Sequence, residues 1–258
     1  MAGARGGARE WRLRFSWSWF SIPALLLVWA AVATQFPSYI FPQVWEVMSE
    51  GYEWLSNGEL LPHLGMSLLE VTGGFGAAII VAAICGFLAG FFRPFREFIV
   101  PLNGLFMSIP PVAWAPLMLI IFGIGYTTIT IVIFIAAVNP MIITIMEGVL
   151  QIHGTEVKAA RSLGARRWQL FLYVYLPASL PFVTAALRIG FSQAWRSLVA
   201  AEMVGATQGI GWMVSMGGEI GNARQVLLGI ALIGGLSWAF ERLIFRQMEK
   251  RYEVWRLA

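Results

Sequence analysis

Two arginines and a glutamate stand inside an otherwise apolar stretch that runs from about Leu180 to Val204. On an α-helix, at about 100° per residue with Arg188 at zero, Ser192 lies near 40°, Arg196 near 80°, Trp195 near 340° and Glu202 near 320°. The five share one arc of about 120°, and Arg188 and Glu202 are about 21 Å apart along the axis. Charge inside a bilayer is costly, so such groups face a bundle interior or an aqueous cavity. Two positive side chains and one negative one suit transient contact with a small anion. A second arrangement fits the same residues: Arg188 snorkels toward the cytoplasm and Arg196 pairs with a neighbouring helix.

No catalytic constellation accompanies this stripe. The chain lacks a Gly-x-x-x-x-Gly-Lys-Ser/Thr loop, and its only lysines are Lys158 and Lys250, so it has no such cradle for ATP. His63 and His153 are far apart, and neither His-Glu-x-x-His nor Gly-x-Ser-x-Gly occurs. We therefore expect no catalytic residue, no metal ligand and no cofactor in this chain. A membrane-embedded hydrolase is the alternative from another class; it requires an essential Ser, Glu or His with turnover in the isolated chain. Cys85 is the one cysteine and lies in an apolar segment, which excludes an internal disulfide and a thiolate metal cluster.

Two further stretches carry polar or backbone chemistry. Pro110-Pro111, followed by Trp114 and Pro116, removes backbone donors inside an apolar run. Lipid tolerates such a break only where it is buried or lines a cavity. With Met203 and a turn at 209–213, Pro110, Pro111 and Trp114 are expected to flank a substrate path as a gate. The other stretch is Lys158-Ala159-Ala160-Arg161-Ser162-Leu163-Gly164. Val157, Ala160 and Leu163 recur at helical spacing, Thr155 suits an N-cap, and Gly164 suits a left-handed helix end. The reading is a short amphipathic helix, a sharp turn, and a second helix re-entering the membrane.

The elements that position these groups are apolar spans. Of 258 residues 58% are hydrophobic and 12% charged, well below the quarter usual in soluble domains. Six spans are expected, near 15–36, 64–92, 98–122, 127–150, 180–204 and 226–245. The first is read as retained rather than as a cleaved signal peptide. A short amphipathic helix is expected from about Pro42, within an acidic stretch between the first two spans. Thr207 to Gly221 reads as a Gly-rich connection. Gly86 and Gly90 form a small-xxx-small pair suited to close helix contact.

The division is a tail at 1–14, a transmembrane domain at 15–245 with the polar loop at 151–178, and a tail at 246–258. Of the 18 Lys and Arg, only Arg188, Arg196 and Arg224 fall outside the segments on the N-terminal side of the membrane. The positive-inside rule then puts both termini and the 151–178 loop in the cytoplasm. The net charge of +4 is spread along these loops, which speaks for orientation in lipid and against nucleic acid.

Ala159-Ala160, Gly164, Val174 and Leu176-Pro177 fall at the spacings of the cytoplasmic loop of ABC importer permeases, E-A-A, three residues, G, nine residues, an aliphatic, one residue, L-P. Lys158 stands where that pattern has Glu. The run Ile109 to Leu117, Phe122-Gly123-Ile124-Gly125, Leu198 to Met203 and Gly209-Ile210-Gly211 resemble the taurine, alkanesulfonate and nitrate branch of these permeases. Glu70 sits where that branch commonly has Arg, and Arg196 where it has a small or neutral residue.

The resemblance implies an all-α polytopic protein with the six-helix type I permease architecture. It implies that Lys158, Ala159, Ala160, Arg161, Leu163 and Gly164 form a coupling helix that docks on an ATPase. It further implies a second permease copy forming a homodimer, two ATPase subunits that use ATP and Mg, and an extracytoplasmic binding protein, in a bacterial inner membrane. Bicarbonate, aromatic carboxylates and pyrimidines stand beside sulfonates and nitrate as substrates.

Overall fold

Apolar backbone in lipid must satisfy its own hydrogen bonds, and this chain does so with helices. The computed structural model describes residues 18–152, 154–245 and 247–248; among them every regular element is helical. In order these are α1 (Ser18–Ala33), α2 (Val44–Ser56), α3 (Leu60–Phe91), α4 (Arg93–Ser108), a 3-10 turn (Pro111–Trp114) and α5 (Ala115–Phe122). Then come α6 (Tyr126–Gln151), α7 (Gly154–Ser162), α8 (Arg167–Leu170), a π turn (Phe171–Tyr175), α9 (Leu176–Gly205), α10 (Ile210–Glu219), α11 (Ala223–Phe240) and a second π turn (Glu241–Phe245). The tails expected at 1–14 and 246–258, apart from 247–248, and the start of the first span at Phe15 lie outside the described residues.

Four stretches are long and apolar enough to cross a membrane: Leu60–Phe91, Tyr126–Gln151, Trp168–Gly205 and Ala223–Phe245. A fifth crossing is the bent pair α4 and α5. The described apolar part of α1, Phe20–Ala33, is shorter and is the first of the six.

α6 is the centre of the bundle. Ile129, Ile133, Met141 and Ile145 are almost wholly covered, by α3 on one side and α9 on the other. α3 approaches along a stripe of small residues four apart: Gly74, Ala78, Ala82, Gly86 and Gly90. A methyl group at Gly86 would lie 2.7 Å from the Ile145 Cβ, and one at Gly90 would lie 2.6 Å from the Val149 Cβ. Close contact of this kind replaces the missing hydrophobic drive between helices in lipid. On the other side Gly190 of α9 receives Met141, and Gly148 of α6 receives Phe182.

The prolines break the third span as expected. Ile109 is extended (φ −92°, ψ 120°), because the ring of Pro110 excludes the helical conformation before it. Pro111 then opens the 3-10 turn and Pro116 sits in the first turn of α5, where a missing N–H costs nothing. The two halves meet at 87°.

A short helix ends at a sharp turn at Gly164 and a second helix follows, as expected: Trp168–Gly205 is one helical run of 38 residues, with a π turn just before Pro177. Two expectations are corrected. The Gly-rich 207–221 connection contains a ten-residue helix, α10. α7 begins at Gly154, so Thr155 lies inside the helix and not at its N-cap. The helix expected near Pro42 starts at Val44, where the Glu46 carboxylate accepts from the Gln43 N–H at 2.9 Å.

Candidate translocation and coupling sites

The α9 run carries polar machinery at both ends. At its C-terminal end Glu202 is buried against the start of α10. Gly209 precedes that helix with φ 126°, a conformation open to glycine, and leaves the first amides of α10 pointing into the protein. Each finds an acceptor on another helix. The Gly211 N–H donates to Glu202 Oε2 (2.6 Å), the Ile210 N–H to Ser67 Oγ (2.9 Å) and the Gly209 N–H to His63 Nδ1 (3.0 Å). Ser67 passes its own proton to Glu202 Oε1 (2.5 Å). An acidic group at a helix N-terminus is also favoured by the helix dipole. His63 stacks on Trp212 with ring centroids 5.0 Å apart. Thus α3, α9 and α10 are tied at one polar junction.

Glu70 lies one turn beyond Ser67 and is fully buried. Its carboxyl group faces that of Glu202, and neither oxygen takes a donor from the described residues. Glu70 is where the resembling branch has Arg, so the polar junction carries two acids here.

The five residues of the α9 stripe divide. Glu202 and Trp195 face inward: Trp195 is buried and its indole N–H donates to the Ile233 carbonyl of α11 (3.2 Å). Arg196 is exposed and folds back onto its own helix, donating to the Ser192 carbonyl (3.1 Å) and Oγ (2.6 Å). Arg188 is exposed and forms an ion pair with Glu241, at the end of α11. The arc of about 120° is wide enough for its edges to meet different surroundings. Ser67 and Glu241 were not singled out by sequence, and His63 was weighed only as a metal or catalytic residue; nothing in their local pattern distinguishes them from other polar residues.

At the expected gate, Trp114 is half-buried and its ring stacks on Phe106 at 5.7 Å. Its Nε1 is buried without a partner among the described residues, as are both amide atoms of Asn103 on α4. Pro110 is exposed and Pro111 half-buried. Met203 is half-exposed on α9, and its carbonyl accepts from Ser215 of α10 (3.2 Å). The turn between α5 and α6 is joined to the same end of α9, since the Gly125 N–H donates to the Gly205 carbonyl (3.1 Å).

The opposite end of the run meets α7. This helix closes with two bonds, the Gly164 N–H to the Arg161 carbonyl (2.9 Å) and the Ala165 N–H to the Ala160 carbonyl (3.1 Å). Gly164 is left-handed, φ 84°, as a Schellman ending requires. Val157 is buried, Ala160 half-buried, and Lys158, Ala159, Arg161 and Gly164 are exposed. Leu163 departs from the apolar face expected of it: at the capping position the chain is already turning, and the side chain is 89% exposed. Behind it lies a groove of about 270 Å³ lined by Ala160, Leu163, Gly164, Gln169, Tyr173 and Val174.

A bent, proline-broken crossing, a small-residue helix core and a capped amphipathic helix at one end are features of a membrane permease. The chain belongs to the family described as binding-protein-dependent transport system inner membrane component, whose model matches residues 61–251. It is 35% identical over 242 residues to the taurine transport system permease protein TauC of Escherichia coli, covering 91% of this chain and 88% of that one. It is 28% identical to the nitrate import permease protein NrtB of Synechococcus elongatus, covering 86% and 85%. A chain of the MetNI methionine ABC transporter, solved in inward facing conformations, has the same fold: TM-score 0.63 at 21% identity, covering 73% of this chain and 95% of that one. The family provides the membrane component of ABC importers; the ATPase is a separate subunit, and a binding protein is a partner.

Proposed function

We propose that this chain forms the path by which a small anion, a sulfonate or nitrate, enters a bacterial cell, delivered by an extracytoplasmic binding protein. The observation that carries this reading is Arg196: a guanidinium well inside an apolar membrane helix, exposed and, among the described residues, satisfied only by Ser192 of its own helix. Such a cation releases its local bonds to a passing oxyanion at little cost, and returns to them when the anion leaves. The taurine and nitrate relatives agree with a cargo that carries an oxyanion group.

In this reading Arg196 and Ser192 contact the anion directly. Arg188, held by Glu241, adds positive potential nearer the 168 end of the run. Trp195 and Glu202 fix the helix against α11 and α10, and Pro110, Pro111, Trp114 and Met203 gate the path. Two copies of the chain assemble with two ATPase subunits, which hold ATP and Mg; both termini and α7 face the cytoplasm. Lys158, Ala159, Ala160, Arg161, Leu163 and Gly164 dock on the ATPase, with Leu163 as the projecting apolar contact. The boundaries at 1–14, 15–245 and 246–258 separate two cytoplasmic tails from the membrane domain.

The test is uptake of labelled taurine, short alkanesulfonates and nitrate by vesicles holding the full transporter. Arg196→Ala should lower transport of the accepted anion at least tenfold and leave its affinity for the binding protein unchanged. Wild-type uptake in Arg196→Ala, or an accepted substrate that carries no anionic group, would overturn the reading.

A further inference from the structure

α2 presents a face that the rest of the chain leaves bare. At about 100° per residue, with Val44 at zero, Leu55 lies near 20°, Met48 near 40°, Tyr52 near 80° and Trp45 near 100°. Their exposures are 51%, 71%, 73% and 64%, so all four stand clear of the protein. Ser56, Ser49 and Glu53 follow on the adjoining arc and are exposed too.

The third arc is buried and holds α2 in place. Glu46 pairs with Arg224 (3.3 Å), Glu50 accepts from Asn222 (3.4 Å), and Val47 packs with Leu228 and Met213. Gly51 lies so close to Leu228 that an added methyl would stand 3.0 Å from its Cδ1. The helix therefore cannot roll to hide its bare face.

That face continues into surface that lipid already covers. α1 shows Leu25, Leu27 and Val28 outward, as a membrane helix must, and Phe36, Tyr39 and Ile40 carry the exposed apolar surface from α1 to α2. The corner is fixed: the Trp29 indole N–H of α1 donates to the Pro42 carbonyl (3.0 Å), and its ring packs on Phe41. Trp and Tyr are the side chains that favour the boundary between acyl chains and headgroups. A helix with one protein-bound arc, one aromatic and apolar arc and one short polar arc fits that boundary.

We propose that α2 lies in the plane of the membrane interface, with Trp45, Met48, Tyr52 and Leu55 in the acyl–headgroup region and Ser49, Glu53 and Ser56 toward water. The occupant of the bare face is a lipid surface. α2 carries no Lys or Arg, so its attachment comes from apolar burial and from the tether to α1 and α11, and does not require anionic lipid. The inference rests on the membrane reading of the chain and is independent of what is transported.

The test uses the permease–ATPase complex in vesicles of phosphatidylethanolamine with phosphatidylglycerol. Single cysteines replace residues 45, 48, 52, 55, 49, 53 and 56 in a Cys85→Ser background and carry spin labels. Collision with oxygen, which concentrates in lipid, is compared with collision with a water-soluble nickel chelate. Labels at 45, 48, 52 and 55 should show an oxygen-to-nickel ratio several-fold above those at 49, 53 and 56, with or without phosphatidylglycerol. Two results overturn the proposal. High nickel collision along the stripe would mean that water covers it. Low collision with both reagents would mean that a second copy or another protein covers it.

Discussion

Ser67 and Glu70 sit three residues apart on α3 and meet the same carboxylate. Ser67 accepts from the Ile210 N–H and donates to Glu202, so one hydroxyl joins three helices. Ser67→Ala leaves a buried amide and a carboxylate oxygen each short of a partner, which costs about 1–3 kcal/mol. Its melting temperature in detergent should fall clearly below wild type. Glu70 sets a second acid against Glu202, and Glu70→Gln keeps both the shape and a donor toward that carboxylate, so its midpoint should stay near wild type. An unchanged midpoint in Ser67→Ala would show that the junction is not where this end of α9 is held. The sequence made Glu202 conspicuous, as a charge in an apolar run. It did not reveal the direction in which the side chain turns, because a helix packed on α6 along its length and on α3 and α10 near its end buries more than one face. Ser67 was not legible at all, since its partners are 135 and 143 residues away.

At the level of elements, the broken crossing was legible because proline acts locally: Pro110, Pro111 and Pro116 leave α4 and α5 no way to join straight. Pro177 does not end the α9 run, which passes it with a π turn just before the proline. α10 was not legible. Its glycines argue against a helix, and the groups that cap it come from α3 and α9. α7 was read closely except for its start, where Thr155 lies inside the helix, and for Leu163, whose spacing continues an apolar face that the helix no longer has at its last turn. Gly164 is the control point here. Forcing a β-branched residue to φ 84° costs roughly 1–2 kcal/mol, and the turn is the element that projects Leu163. Gly164→Val should insert into the membrane normally yet hydrolyse ATP without matching uptake, measured as substrate moved per ATP consumed. Lys158→Glu, at an exposed position, should keep that ratio at the wild-type value.

For the whole molecule, the distribution of basic residues gives an expectation about sides that labelling can test. α7 and the 219–224 turn belong to opposite ends of the bundle in this reading, with α2 at the second end through Glu46 and Arg224. In intact cells lacking Cys85, an impermeant thiol reagent should label cysteine at 220 and leave cysteine at 163 unlabelled; inverted vesicles should give the reverse pattern. Labelling of both positions from one side would refute the arrangement.

The uninterrupted run from Trp168 to Gly205 has a mechanical meaning. Its 38 residues make a rod of roughly 57 Å. Gln169, Tyr173 and Val174 form the wall beside Leu163, and Glu202 grips α10 at the far tip. A rod pivoting near its middle turns a small push at one tip into an opposite swing at the other, with no relay of side chains between them. The π turn at 171–175 is a joint in the shaft, where the regular helical bonding changes, just inside the end that the proposed docking would push. Stiffening that joint should pass on more of the stroke, and loosening it should let the helix bend where it is struck while the distant grip stays still.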